Sequence, residues 1–245
     1  MRNEGKVRVE GRGSRGFTLV ELLTVISIIA VLAAMLFPMY LNAKKSAKRA
    51  QCQSNLRQIG QAFETYTSDY GGCYPNLNSK CLWMGRYFRW PMKRYLGYRA
   101  GYDTTDPGAE KQTTHAWNTI LRCPDDPIPG IVYDGTSYAY SAAFYLPPDQ
   151  VNSMTSYAQL YDATALTFAT IKTSAVTFPT KKALLADWLT HTNERATWWK
   201  WGGSRNYLFA DGHVVYLSTG KIHAAADGLP DINVTINGVE GKDIN

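Results

Sequence analysis

The chain has 245 residues, a formal net charge of +6 and aromatic residues at 13% of its length. That is room for a membrane helix plus one globular domain of ordinary size, and it excludes a many-domain architecture. Residues 1–16 hold five Lys/Arg and two Glu, so they carry +3 and the rest of the chain the other +3, a surplus too mild to argue for nucleic acid.

In chain order, the basic leader (Arg2, Lys6, Arg8, Arg12, Arg15) ends at Gly16. Glu21 then sits just ahead of twenty uncharged residues, Leu22 to Leu41. At helical rise such a run spans about 30 Å, the thickness of a bilayer core, so it reads as one transmembrane helix. A carboxylate at the edge of hydrocarbon is costly unless it has a partner, so Glu21 reads as a residue with a task. Lys44, Lys45, Lys48 and Arg49 follow the span closely, and charge alone leaves its orientation open. Pro38 removes one backbone donor inside the span and predicts a bend or loosening there.

Beyond the span the apolar residues become periodic. Cys52, Leu56, Ile59, Phe63, Tyr66 and Tyr70 are spaced 4, 3, 4, 3 and 4, one stripe of an amphipathic helix. A single helix is predicted from about residue 17 to about 70, ended by Gly71-Gly72. From Cys73 the composition turns to Gly, Pro, Tyr and Trp, and short strands are predicted. They are Tyr138–Tyr140, after the turn signal Asp134-Gly135, then Ala183–Asp187, Asn206–Ala210 and His213–Leu217. Asp211-Gly212 between the last two predicts a hairpin with a two-residue type I′ turn, which needs positive φ at both residues. Segments 98–115 and 147–160 read as loops or short irregular helices, and the polar tail from Ala225 as poorly ordered. The fold class expected is α+β: a long N-terminal helix packed on a small, mainly antiparallel sheet.

No catalytic constellation stands out. His115, His191, His213 and His223 lie in no nucleophile, metalloprotease or nucleotide-binding motif, and nothing in the spacing suggests a Cys–His pair. His213 follows the hairpin turn and reads as a strand side chain. Cys52, Cys73, Cys81 and Cys123 contain no Cys-x-x-Cys; they allow disulfides, with three possible pairings if all four pair, or buried free thiols. Asp125, Asp126 and Asp134 form an acidic group whose oxygens suit calcium, though the EF-hand spacing is absent and turn-forming aspartates are the plainer explanation. Trp188, Trp198, Trp199 and Trp201 crowd one stretch and serve either as core or as a ligand face for a sugar or protein partner.

The run Arg15-Gly16-Phe17-Thr18-Leu19-Val20-Glu21 resembles the processing site of type IV prepilins and type II secretion pseudopilins. The resemblance implies that a membrane prepilin peptidase cuts after Gly16 and methylates the new N-terminus, Phe17. It places Glu21 at the family's fifth mature position, where the carboxylate is thought to pair with a neighbour's N-terminal ammonium during assembly. Pro38 falls at the family's proline. The implied layout is a leader over 1–16, a transmembrane and assembly half-helix over 17–43, an amphipathic half over 44–72 and a periplasmic or surface domain over 73–245. The N-terminus would lie in the cytoplasm and the anchor in the inner membrane. The partners implied are the peptidase and other pilin-like subunits. Type II pseudopilins also bind calcium in a C-terminal loop, which is what brings the aspartate group into view.

The likeness continues downstream. Ala50–Ala62, Leu121-Arg-Cys123-Pro124-Asp125, Ser137–Tyr140, Leu184–Asp187 and Asn206–His213 resemble segments of a bacterial pilin-like group named for a histidine, nine residues and then Asp-Gly. Asp211-Gly212 is present, but the histidine's position holds Trp201, and His191 lies ten residues too far upstream. The function expected is a filament subunit, most simply a pseudopilin of a type II secretion-like system, and no enzyme. A membrane-anchored binding module with the tryptophans as its ligand face is the alternative. An ordinary secreted enzyme cleaved near Ala30, Ala33 or Ala34 would leave the Gly16 and Glu21 signals without purpose.

Overall fold

The computed structural model describes residues 16–77, 88–89, 91–97, 119–126, 136–156, 159–160, 166–188, 190–191 and 202–245. Its contacts divide the chain into two units, Met1–Lys44 and Lys45–Asn245.

Helix α1 covers Leu19–Asp69 and runs through Pro38 without interruption. Its start is a capping box. The Thr18 N–H and hydroxyl both donate to Glu21 Oε2, at 2.9 and 2.6 Å, and Glu21 N–H returns a bond to Thr18 Oγ1 at 3.3 Å. Gly71 (φ 62°) and Gly72 (φ 78°) end it in the left-handed conformation, and Gly72 N–H reaches back to Thr67 O at 2.7 Å. Within the first unit the apolar side chains of α1, from Leu19 to Leu41, stand exposed. This helix is long and apolar enough to cross a membrane.

In the second unit α1 buries Cys52, Leu56, Ile59, Phe63 and Tyr66. Tyr70, the last residue of the expected stripe, departs from it: its side chain is 51% exposed and its ring stacks on Tyr66 at 4.2 Å between centroids. The face packs on a four-stranded antiparallel sheet in the order β1 (Tyr138–Tyr140), β2 (Ala183–Asp187), β3 (Ser204–Phe209), β4 (Val214–Ser218). Helix and sheet meet closely at Gly60, where an added Cβ would lie 3.1 Å from Leu208 Cδ1. Opposite Phe209 and Leu208 the partners in β2 are Ala183 and Leu185, so Leu184 is the extra residue of a β-bulge. Both leucines thereby join the helix-side core with Tyr138, Tyr140, Phe144 and Leu208.

Two expectations are corrected. The tail from Ala225 is packed against the domain, with residues 231–235 all buried. Ile222 and Ile232 pack with Ala139, Ala186, Trp188, Tyr207 and Phe209 into a second core on the other face of the sheet. Few aliphatic residues suffice in this C-terminal strap, residues 225–245, because side chains satisfy its polar groups. Ser141 Oγ donates to Ile232 O at 2.6 Å, and Ala142 N–H donates to Asn233 Oδ1 at 3.1 Å. The hairpin turn is also different. Leu208 pairs with Val214, Phe209 N–H donates to His213 O at 2.9 Å, and Gly212 N–H donates to Phe209 O at 3.0 Å. That is a three-residue loop, Ala210-Asp211-Gly212, with only Gly212 at positive φ (88°), so Asp211 is not left-handed. A helix α2, Pro148–Asn152, and several single 3₁₀ turns complete the described elements.

Candidate functional site

Two places bear on function, one in each unit. In the first, Gly16 has open space around its backbone, Phe17 is 74% exposed, and the capping box follows. The residues next to the expected scissile bond are therefore bare, while Glu21 holds the first turn of α1. Thr18 is the partner that sequence reading missed, although Thr-x-x-Glu ahead of an apolar run is the signature of that cap.

The second place lies in the globular unit, where α1 meets the Cys-Pro loop. Cys52 and Cys123 form a disulfide across 71 residues of sequence, with Cα atoms 5.0 Å apart. Asn55 Nδ2 donates to Arg122 O at 2.9 Å, and Lys48 Nζ lies 3.3 Å from Asp125 Oδ1, so the loop is fixed to α1 at three points. Cys73 is a partly exposed free thiol, and Cys81 lies outside the described residues.

Beside the bridge, His191 sits between two carboxylates. Its Nδ1 is 3.1 Å from Asp125 Oδ2 and its Nε2 is 2.6 Å from Asp187 Oδ2, with only 4% of the side chain exposed. Burial works against a charged ring. The hydrogen bonds and attraction of Asp187, then of Asp125, outweigh it and raise the His191 pKa above its ordinary value. The imidazolium form lets both ring nitrogens donate. Asn206 adds N–H and Nδ2 bonds to Asp187 Oδ2 at 2.9 and 2.6 Å. The cluster thus ties the Cys-Pro loop, the end of β2 and the first half of β3 into one knot.

This is an arrangement that the spacing concealed. His191 Nε2 lies 3.8 Å from Cys123 Sγ, so a cysteine and a histidine do meet. Cys52, Cys123 and His191 place ligand atoms within 4.8 Å of one another. Both sulfurs are bound to each other and both ring nitrogens face carboxylates, so the group is built as a crosslink and not as a metal ligand set.

The remaining expected residues scatter. Asp125 is engaged by Lys48 and His191, Asp126 is half-buried beside it, and Asp134 lies outside the described residues. Trp188 is buried in the second core at 3% exposure; Trp198, Trp199 and Trp201 lie outside the described residues. Asp211 bonds the His213 ring through Oδ1, and that ring stacks on Phe209 at 4.5 Å. His223 Nε2 is paired with Asn245 Oδ1 at 2.9 Å, and His115 lies outside the described residues.

An apolar helix opened by a processing-type run, continuing into a domain whose small antiparallel sheet packs on its second half, defines a type IV pilin-like protein. Residues 11–37 match the prokaryotic N-terminal methylation motif. Residues 42–229, more than half of the chain, match the family described as "Protein of unknown function (DUF1559)", and the chain belongs to that family. It is also similar to the type IV major pilin protein PilA of Myxococcus xanthus, 34% identical over 56 residues, which are 23% of this chain and 26% of that one. The type IV wide pilus major component PilA4 of Thermus thermophilus is 45% identical over 58 residues, 24% of this chain and 44% of that protein. The chain thus spans less than half the length of these curated relatives. No solved structure matches.

Proposed function

We propose that this chain is the precursor of a filament subunit and not an enzyme. A prepilin peptidase cuts it after Gly16 and methylates Phe17. The helix then anchors it in the inner membrane with the N-terminus cytoplasmic and the domain from residue 73 periplasmic or at the cell surface. Its partners are the peptidase and other pilin-like subunits, with no nucleic acid among them. The observation that carries this reading is the match of residues 11–37 to the methylation motif, which runs on into a helix whose apolar side chains are bare.

Two machines accommodate such a subunit, a type II secretion-like pseudopilus and a type IV pilus. Both curated relatives are named as pilus components, which supports the second and leaves the first resting on the processing-site resemblance alone. Intact mass and N-terminal sequencing of the membrane-extracted protein test the processing step. The expected chain begins at methylated Phe17; a mature N-terminus between Ala30 and Pro38 overturns the proposal. A deletion strain scored for surface filaments and for secreted proteins separates the two machines.

A further inference from the structure

The C-terminal strap brings a lysine and an aspartate from distant parts of the chain together under the sheet. Lys182, just ahead of β2, is completely buried. Its Nζ faces both carboxyl oxygens of Asp243, at 3.3 Å to Oδ1 and 3.2 Å to Oδ2, and Asp243 is 1% exposed. Thr235 Oγ1 bonds both Lys182 Nζ and Asp243 Oδ1. Ala183 N–H donates to Asp243 Oδ2 at 2.7 Å. The ring of Phe144 lies 5.9 Å from Nζ. Nothing in the filament reading uses this pair.

A buried ion pair is a poor way to hold a strap, because desolvating two charges offsets most of their attraction. The pocket also works against charge. Burial pushes the Lys182 pKa down although Asp243 opposes this, and burial foremost raises neighbouring Asp231 to about 7. Asp231 is 1% exposed and its Oδ2 has no hydrogen-bond partner. Burial thus works toward a neutral amine at Lys182 and an uncharged Asp231 beside it, and one proton passed from the ammonium to the Asp243 carboxylate within the pair gives the amine and acid that amide formation needs.

From this placement we propose that Lys182 and Asp243 condense, without any enzyme, into an intramolecular isopeptide bond that closes the strap onto β2. The lone pair of the neutral Nζ attacks Cγ of the Asp243 carboxylic acid. The Nζ–Cγ bond forms, the Cγ–OH bond breaks, and the hydroxyl leaves with one amine proton as water. The second carboxyl oxygen becomes the amide carbonyl. Nothing is oxidised or reduced, and no co-reactant is needed. Thr235 and Ala183 N–H polarise the carboxyl by hydrogen bonding, and the fold supplies the proximity that dilute amine and acid lack. The product carries no charge, so the burial that penalises the ion pair favours the amide.

The test is mass spectrometry of the detergent-extracted full chain after reduction of its disulfide. The intact mass, computed from the N-terminus found by sequencing, should fall short by one water. Tryptic digestion should yield a branched peptide joining Lys182 to the segment holding Asp243, with cleavage after Lys182 lost. Lys182→Met should restore the full mass. Two results overturn the proposal. One is an unmodified wild-type mass with Lys182 cleaved normally. The other is a water loss that tandem fragmentation places on a linear peptide at an Asp-Gly pair, Asp211-Gly212 or Asp227-Gly228, where an aspartate cyclises on the next residue.

Discussion

Removing the Cys52–Cys123 bridge is the perturbation whose size the structure fixes best. The crosslink closes a loop of 71 residues of sequence separation. In the chain-entropy account, freeing a loop of that length in the unfolded state costs about 4 kcal/mol at 25 °C. The double variant Cys52→Ala/Cys123→Ala loses little else. Asn55 still bonds Arg122 O, and Lys48 still pairs with Asp125. For a unit of this size, each kcal/mol moves the melting temperature by about 2–4 °C, so a drop of roughly 10–15 °C is expected. Urea denaturation and thermal melts of the unit from Lys45 onward give both quantities. The wild type in reductant should show nearly the same loss, and Cys73→Ala should show none. A loss below about 1 kcal/mol refutes the reasoning, because it means that the unfolded chain already holds residues 52 and 123 together.

Other outcomes follow from the two sites and the hairpin. Gly212→Val should cost about 1–3 kcal/mol through strain at φ 88°, with its Cβ pressed to 2.9 Å from Glu64 Oε1. Asp211→Asn should change stability by less than about 0.5 kcal/mol, since Asp211 has ordinary backbone; if it instead abolishes a calcium-dependent rise in melting temperature, the turn is a metal site. His191→Gln should cost about 3 kcal/mol at pH 5–6, because it strips a buried cation from Asp187. The His191 pKa is raised on folding, so its contribution is complete below the unfolded value of 6.5 and fades as pH rises through the folded value. The gap between wild-type and variant stability curves should therefore narrow above that window, and a gap constant with pH refutes the imidazolium. Glu21→Ala should still be inserted and cleaved yet enter filaments poorly; normal incorporation at normal copy number would remove the pairing role.

What the sequence showed plainly was local. The uncharged run and the 4-3-4 stripe are properties of one helix, so α1 was readable almost to its ends, and alternation made β3 and β4 readable as well. The hairpin turn was misread because Asp-Gly suits two loop types. Ala210 joins the loop here while its N–H is held by Lys182 O at 2.9 Å on the β2 side. His191 was invisible because its partners sit at positions 125, 187 and 206, and only the fold brings them together. The strap was misjudged for its composition. Asp231, Asn233, Thr235 and Asp243 look like solvent-facing residues, yet each is buried with hydrogen bonds in place.

The disulfide also decides how the molecule carries tension. Cys52 is the first buried residue of α1, ahead of Leu56, Ile59 and Phe63. A pull along the helix axis meets the sulfur bridge before it meets those side chains. It then passes to Cys123 and, through the Ser137 N–H bond to Leu121 O at 2.8 Å, to the start of β1. Residues 53–122 are off that covalent path and cannot be drawn out. A stretched chain of this kind therefore lengthens by giving up its strap and the strands after residue 123, while the helix segment beyond Cys52 stays looped behind the bridge.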